Sequence, residues 1–293
     1  MSTGTGGHLT SPAARLAVAP PSWATLALAP NPGPMTLDGT NSWLLRAAGH
    51  RGCVVVDPGP LDEPHLARLA SEPVELVLIT HGHFDHTEAV DRFVTLTGAP
   101  VRAADAAWCR AAPRLADGEV VEAGGLTVTV VAAPGHTADS VAFAVGGDEP
   151  GVLTGDTVLG RGTTVVTWPD GDLGDYLASL RRLAGFGPVP VLPGHGPALA
   201  DCAEAAAHYL AHRAERLDQV RAALRAGART AADVVAVVYA DVDRKLWPAA
   251  EMSVHAQLAY LAELGELEPE VHADPPRGSA AAPPGPADAA NEP

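Results

Sequence analysis

The most informative stretch of this chain is Thr80-His81-Gly82-His83-Phe84-Asp85-His86. It directly follows the apolar run at 74–79, which is typical of a buried strand. Residues two apart on an extended chain face the same side, so His81 and His83 are placed to bind one metal ion. Asp85 and His86 follow where the chain turns into a helix and can reach a second ion. Because imidazole and carboxylate groups suit Zn²⁺, the stretch predicts a site for two metals.

Three further motifs each place one ligand-type residue beside a glycine, just past a short apolar strand. They are Pro134-Gly135-His136-Thr137, Thr154-Gly155-Asp156-Thr157 and Pro193-Gly194-His195-Gly196. Glycine lets the backbone turn sharply, and loops at strand ends are where a rigid scaffold carries function. The alternative is a chance cluster of surface histidines. It explains the repeated placement poorly, because buried polar groups need partners.

With these motifs in order, residues 14–200 resemble hydrolases of the metallo-β-lactamase superfamily. The five matching features are Asp57 of Val56-Asp57-Pro58-Gly59, the run from His81 to His86, His136, Asp156 and His195. The resemblance implies an α/β fold, the αββα sandwich of that superfamily. It also implies a metal-dependent enzyme.

Carried over residue by residue, the implied ligands are His81, His83 and His136 for one metal, Asp85, His86 and His195 for the other, and Asp156 bridging them. The resemblance implies that Asp57 orients a ligand imidazole through its free ring nitrogen. Asp85 and Asp156 are the implied catalytic carboxylates, and Asp85 is also a candidate for proton transfer. The implied nucleophile is a hydroxide that bridges two zinc ions, and iron or manganese suits the same ligands.

No protein nucleophile is evident, since there is no G-x-S-x-G motif and Cys53, Cys109 and Cys202 lie outside the motifs. Three cysteines without a spacing pattern fit a reducing compartment. The N-terminus has no basic segment followed by an apolar one, and no apolar run reaches the roughly 18 residues that span a bilayer. We therefore expect a cytoplasmic protein without a membrane partner.

The charge of the chain is strongly negative, a formal −16 with Lys245 as its single lysine. This disfavours a polyanionic partner. One stretch is richer in arginine, with Arg213, Arg216, Arg221, Arg225 and Arg229. It is either a basic stripe or, as we favour, a solvated helix face with ion pairs to Glu215 and Asp218. His208 and His212, four residues apart, are interpreted as polar-face residues of that helix rather than as a zinc pair.

The composition divides the chain into four parts. Residues 1–13 and 271–293 are predicted to be disordered tails, 14–200 the catalytic domain, and 201–270 an all-α domain. Helices are predicted at 201–226, from the cap Thr230 to Tyr239, and at 248–264. Three helices followed by the turn that begins at Gly265 resemble a winged-helix module.

This module and the N-terminal motifs resemble one branch of the superfamily, which contains the mitochondrial metallo-β-lactamase-like endoribonuclease and its bacterial relatives. The segments concerned include 31–37, 39–43, 155–164 and 230–234. The third helix carries Glu251 and Glu263 and no lysine or arginine, so we expect no DNA binding there. The module is expected to pack on the catalytic domain and form one wall of the metal cleft.

The substrate is the question that the ligands leave open. Candidate pocket residues are Asn41, Trp43, Thr163, Thr164 and Trp168. We favour a small-molecule acyl substrate, a thioester, ester or lactone, because the chain is acidic and poor in aromatic residues. The alternative is a phosphodiesterase that cuts single-stranded RNA, which the arginine-rich stretch supports. A more distant alternative is a non-catalytic winged-helix binding module, which would require a broken metal site.

Overall fold

The computed structural model describes residues 18–267. The two predicted tails, 1–13 and 271–293, lie outside the described residues. Within residues 18–267, the three helices of the C-terminal region lie close to their predicted positions. No helix in this part of the chain is long and apolar enough to cross a membrane.

The first sheet has five strands in sequential order. They are β1 (Ala24–Leu28), β2 (Asn41–Leu45), β3 (Cys53–Val56), β4 (Val74–Leu78) and β5 (Val101–Arg102). β1, β2 and β3 pair antiparallel, whereas β3, β4 and β5 pair parallel. Parallel pairing sends the ends of β3 and β4 to the same edge of the sheet, where Asp57 and the histidine run follow them.

The second sheet also has five strands, in the order β10-β9-β8-β7-β6. They are β6 (Val120–Ala123), β7 (Leu126–Ala132), β8 (Val141–Val145), β9 (Gly151–Gly155) and β10 (Val191–Pro193). Only β9 and β10 pair parallel. They therefore end together, and Asp156 and His195 follow them.

The two sheets face each other across an apolar core, to which the first contributes Trp43 and Leu78 and the second Phe143 and Leu153. Successive strand residues point to opposite faces of a sheet, so both sheets also place apolar side chains on their outer faces. Helices α1 (Glu63–Leu69), α2 (Phe84–Thr87) and α3 (Val90–Thr97) follow strands of the first sheet, and α1 and α3 cover its outer face. Helix α4 (Leu173–Ala184) covers the outer face of the second sheet. The predicted αββα sandwich is confirmed.

The C-terminal region consists of α5 (Cys202–Arg225), α6 (Ala231–Val238) and α7 (Trp247–Glu263). Thr230 caps α6 and forms a capping box with Asp233, as the sequence predicts. These helices share one hydrophobic cluster with α4 and the second sheet. The predicted all-α domain is confirmed, and it packs directly against the catalytic sandwich.

Candidate metal centre

The ligand-type residues converge at the edge of the sandwich where β4, β9 and β10 end. His81 and His83 follow β4, while Asp85 and His86 lie on the single turn of α2. Asp156 and His195 follow β9 and β10, and His136 lies in the loop between β7 and β8. All seven predicted ligands are thus brought into one region.

The first group contains His81, His83 and His136, whose ligand atoms all lie within 4.8 Å of one another. His83 Nδ1 lies 3.0 Å from His81 Nε2 and 3.0 Å from His136 Nε2. Burial lowers the pKa of all three imidazoles, that of His136 to about 4. They are therefore neutral near pH 7, which is the state that binds a metal.

The second group contains Asp85, His86 and His195. The Nε2 atoms of His86 and His195 are 3.3 Å apart, and Asp85 Oδ2 is 3.4 and 3.3 Å from them. Asp156 lies between the two groups, because its Oδ2 is 3.3 Å from His195 Nε2 and 3.8 Å from His136 Nε2. This is the position expected of a bridging carboxylate.

Hydrogen bonds to the outer ring nitrogens fix the direction of the inner ones. Nδ1 of His136 donates to the carbonyl of Val165 at 2.6 Å, and Nδ1 of His195 donates to the carbonyl of Gly39 at 3.1 Å. Because Nδ1 is the donor in both contacts, the neutral form of each ring presents its Nε2 lone pair to the cluster. The tautomer suited to metal binding is thereby set from outside.

Asp57 performs the same task for His86 and, through Thr80, for His81. Its Oδ2 lies 2.9 Å from His86 Nδ1 and accepts a hydrogen bond from Thr80 Oγ1 at 2.7 Å, while Oδ1 accepts from the Thr80 amide at 2.8 Å. Thr80 Oγ1 in turn lies 3.0 Å from His81 Nδ1 and can accept a hydrogen bond from it. Asp57 has a φ of 55°, a left-handed conformation rare for a non-glycine residue, which these bonds hold in place.

The carboxylates create a strongly negative field around the second group. Burial opposes a charge on His86, but Asp57, Asp85 and Asp156 outweigh it and raise the pKa to about 9. Burial likewise opposes a charge on His195, yet Asp156 and Asp85 raise its pKa to about 11. A proton and a metal ion compete for the same ring nitrogens, so this field favours a cation of either kind.

The residues fit a pair of divalent cations. Asp156 Oδ1 is buried and has no hydrogen-bond partner among residues 18–267, although a buried carboxylate oxygen normally has one. A methyl group on Gly194 would overlap with this atom, so the glycine leaves the space beside the carboxylate free. The combination of imidazole nitrogens with carboxylate oxygens suits divalent metals such as zinc.

Two residues that the sequence analysis did not assign to the site support Asp85. Thr40 Oγ1 donates to Asp85 Oδ2 at 2.8 Å. Asn31 holds Thr40 in turn, since its Nδ2 donates to Thr40 Oγ1 at 3.0 Å and its Oδ1 accepts from the Thr40 amide at 2.9 Å. Both belong to the Asn31–Trp43 segment, where sequence alone indicated only a family motif.

A cavity of about 300 Å³ opens onto the cluster between the sandwich and the helical domain. His136 and Asp156 lie on one wall, and His212, Arg213 and Arg216 of α5 form part of the other. The helical domain therefore encloses one side of the cleft. The interpretation of His212 and the first arginines as a solvated helix face is wrong at these positions, because α5 turns them toward the cavity.

Two of the five candidate pocket residues line the cavity, and three do not. Thr163 and Thr164 line the cavity, and Thr164 Oγ1 donates to the Asp156 carbonyl at 2.5 Å. Asn41 and Trp43 are buried behind the centre and both donate to the Pro193 carbonyl, at 2.9 and 3.0 Å. They position the His195 loop and do not line the cavity. Trp168 packs against the core of α4 and the helical domain.

Comparison with known proteins agrees with this geometry. The sequence model of the metallo-beta-lactamase superfamily matches residues 35–195, and that of the beta-lactamase associated winged helix domain matches residues 230–268. A beta-lactamase-like protein 2 homolog from Drosophila melanogaster is 31% identical over 268 residues, which cover 83% of this chain and 89% of the relative.

Another relative has a more specific name. The atrochrysone carboxyl ACP thioesterase of Aspergillus fumigatus is 34% identical over 205 residues, which are 67% of this chain and 62% of that protein.

Among solved structures, a metallo-beta-lactamase family protein from Thermus thermophilus aligns with a TM-score of 0.70 at 26% identity, and the alignment covers 83% of this chain and 94% of that protein. A beta-lactamase domain protein from Burkholderia ambifaria aligns with a TM-score of 0.72 at 25% identity, and the alignment covers 87% of this chain and 94% of that protein.

Proposed function

The chain belongs to the metallo-beta-lactamase superfamily, and on this basis we propose that it hydrolyses small-molecule acyl substrates, which are thioesters, esters or lactones, with two divalent metal ions. The observation that carries this proposal is the cavity of about 300 Å³ between the two domains, which reaches His136 and Asp156. Leu37, Leu159 and Val242 contribute to its apolar wall. A small cleft with an apolar wall suits an acyl group better than a polymer.

The residues of the centre have the following proposed roles. His81, His83 and His136 hold one cation, Asp85, His86 and His195 hold the other, and Asp156 lies between them. When bound, such cations polarise a substrate carbonyl and lower the pKa of a coordinated water. Zinc is the metal we propose, with iron or manganese as alternatives for the same ligands.

Residues around the centre keep the ligand histidines and Asp85 in the form that binds a metal. Asp57, Thr80 and the carbonyls of Gly39 and Val165 hold the outer ring nitrogens, so that the inner lone pairs stay directed at the metals. Neighbouring imidazoles keep the pKa of Asp85 below its usual range against the effect of burial. It therefore stays ionised near pH 7, which suits ligation better than proton transfer. Ligation is the role we propose for it.

A thioester is the acyl class with the most specific support. The Aspergillus fumigatus relative is named an acyl-carrier-protein thioesterase, and the similarity covers 67% of this chain. All three cysteines are free, and Cys53 and Cys202 are buried, which is in keeping with a reducing compartment. We propose a cytoplasmic enzyme with a catalytic domain at 14–200 and a helical domain at 201–270. Asp201 caps α5 at that boundary.

The second candidate is hydrolysis of single-stranded RNA, which is favoured by three arginines in the cavity wall, Arg161, Arg213 and Arg216. A second, more open cleft, which His83 also lines, carries the carboxylates of Asp105, Asp139 and Asp170 and one arginine, Arg114. A polynucleotide that passed the metal centre would meet these carboxylates, which repel phosphate. The acyl substrate therefore remains our proposal. A binding module without catalysis would need an incomplete centre, and all seven ligand-type residues are together.

The test combines metal analysis of the purified protein with turnover on an aryl ester and thioester panel and on a fluorogenic single-stranded RNA. We expect two equivalents of metal, hydrolysis of the acyl substrates and loss of that hydrolysis on chelation. RNA cleavage without acyl turnover would replace the proposal by the second candidate. Folded protein with neither metal nor turnover would contradict both.

A further inference from the structure

The helical-domain wall of the cavity carries positive charge in a chain whose formal net charge is −16. His212, Arg213 and Arg216 project from α5, and Arg161 lies on the opposite side. Among the described residues that line the cavity, Asp156 is the one carboxylate, and it belongs to the metal centre. Arg161 is paired with Asp38. The charges on α5 need a separate explanation.

Arg213 is a buried guanidinium without a counter-charge. Only 3% of Arg213 is exposed. Its guanidinium donates to the Thr164 carbonyl, and the guanidinium carbon lies 5.0 Å from the ring centre of Tyr176. Its Nε has no hydrogen-bond partner within residues 18–267, and no carboxylate in that range forms an ion pair with it. A buried charge is costly unless it is paired, so this arginine is poised to interact with an anion.

Arg216, one helical turn further along α5, repeats the pattern. It donates to Gln219 Oε1 at 2.7 Å and to the Val238 carbonyl at 3.3 Å, and it lies 4.8 Å from the ring centre of Tyr239. All of these partners are neutral. By contrast, Arg221 on the same helix pairs with Asp218 and Glu266. The two α5 arginines that line the cavity form no ion pair with a carboxylate among the described residues.

His212 completes the group. Its Nδ1 is buried and has no hydrogen-bond partner in the described part of the chain. Burial, together with the charges of Arg213 and Arg216, lowers its pKa to about 4. The ring is neutral near pH 7, and a neutral imidazole can still donate one N–H to an anion. This low pKa follows from the burial of the ring and from the same two arginine charges.

We propose that the acyl substrate carries an anionic group, a carboxylate or a phosphate, and that Arg213, Arg216 and His212 bind this group while the acyl carbonyl reaches the metal centre. This inference rests on the proposed function. Met35 and Leu246, which also line the cavity, lie among its apolar surfaces. The cavity therefore matches a substrate that is apolar along its length and charged at one end. Charge-assisted bonds are strong in such a low-dielectric setting.

Two substrate pairs distinguish the sources of the anion. Monophenyl adipate against its neutral methyl ester tests a carboxylate on the acyl side. Hexanoyl-phosphopantetheine against hexanoyl-pantetheine tests a phosphate on the leaving group. In at least one pair we expect kcat/KM for the anionic member to be about tenfold to a hundredfold higher, the scale of a charge-assisted hydrogen bond. Arg216→Met should reduce this ratio to near one, and Arg216→Lys should restore part of it.

Arg225→Met is the matched control, because it makes the same charge change on an exposed part of α5 away from the cavity. It should leave the ratio unchanged, and thermal melting should show that all variants fold. Inorganic phosphate binding to the metal-loaded protein, measured by calorimetry, should weaken about tenfold in Arg216→Met and not in Arg225→Met.

The possible failures are distinguishable. Hydrolysis of the neutral esters with a ratio near one in both pairs would overturn the anion site and leave the proposed function standing. Absence of hydrolysis for every ester and thioester, in folded protein with two equivalents of metal, would overturn the proposed function. Cleavage of single-stranded RNA that falls in Arg216→Met would assign the arginines to phosphodiester binding and overturn the acyl inference.

Discussion

Thr40 donates a hydrogen bond to Asp85, with 2.8 Å between Thr40 Oγ1 and Asp85 Oδ2, across a sequence separation of 45 residues. Thr40 is fully buried, and Asn31 holds its hydroxyl in place. Asp85 is the more exposed of the two carboxylates of the centre, with 27% of its side chain accessible against 10% for Asp156. The hydroxyl therefore restrains the carboxylate that solvent would otherwise leave most mobile.

Replacing this hydroxyl should weaken metal binding in the Asp85 group. In Thr40→Val, a substitution of nearly the same shape, we expect the affinity for the metal of the Asp85 group to fall about 10–100-fold, the usual effect of losing an outer partner of a ligand. Thr40→Ser keeps the donor and should stay close to the original protein. The measurement is a chelator competition titration followed by elemental analysis. Equal metal affinity in the valine and serine variants would show that the hydrogen bond does not support the centre.

Removal of the carboxylate between the two groups should have a larger effect. Asp156→Ala should lose one or both metals, and turnover should fall by more than about 100-fold, beyond the effect of an outer partner. Asp148→Ala, which removes an exposed carboxylate far from the centre, is the control. Metal content and rate that both survive in Asp156→Ala would refute the bridging assignment.

The space beside Asp156 gives a test that leaves every ligand in place. An added methyl in Gly194→Ala would overlap with Asp156 Oδ1 and lie 2.9 Å from the His86 ring. Something must move, so we expect reduced metal content and a loss of about 1–3 kcal/mol in the free energy of unfolding. Gly146→Ala meets nothing within 4 Å and should change neither property. Full metal content in Gly194→Ala would mean that the carboxylate can shift without harm.

His212 should make the protein sensitive to acid. Its pKa is about 4 in the folded protein, lowered first by burial and then by Arg213 and Arg216, against about 6.5 in an unfolded chain. Between these values the unfolded chain binds more protons, so stability is lost as the pH falls from about 6.5 to 4. His212→Gln should therefore flatten the fall of Tm over this window. His208→Gln on the same helix is the control, and an unchanged slope in His212→Gln would contradict the assignment.

Much of the site was predictable because each ligand sits in a local pattern. An apolar strand followed by glycine and a ligand-type residue is a short-range signal, and it marks His136, Asp156 and His195 without any knowledge of their neighbours. The cap of α6 is equally local. Such a pattern does not show whether a side chain faces the cavity or the interior. The same local reasoning assigned Asn41 and Trp43 to the pocket, whereas both hold the Pro193 carbonyl from behind.

The seven candidate ligands could be identified from patterns of neighbouring residues, because loop chemistry depends on residues close together in the chain, and the order of the motifs carried the resemblance to the superfamily. The support of Asp85 by Thr40 depends on tertiary packing, and so does the contact of Arg213 with the carbonyl of Thr164, 49 residues away. A helix whose sequence shows charges on several sides does not reveal which side is buried. That depends on how α5 packs against the sandwich, and this packing turned residues that looked solvated into the wall of the cleft.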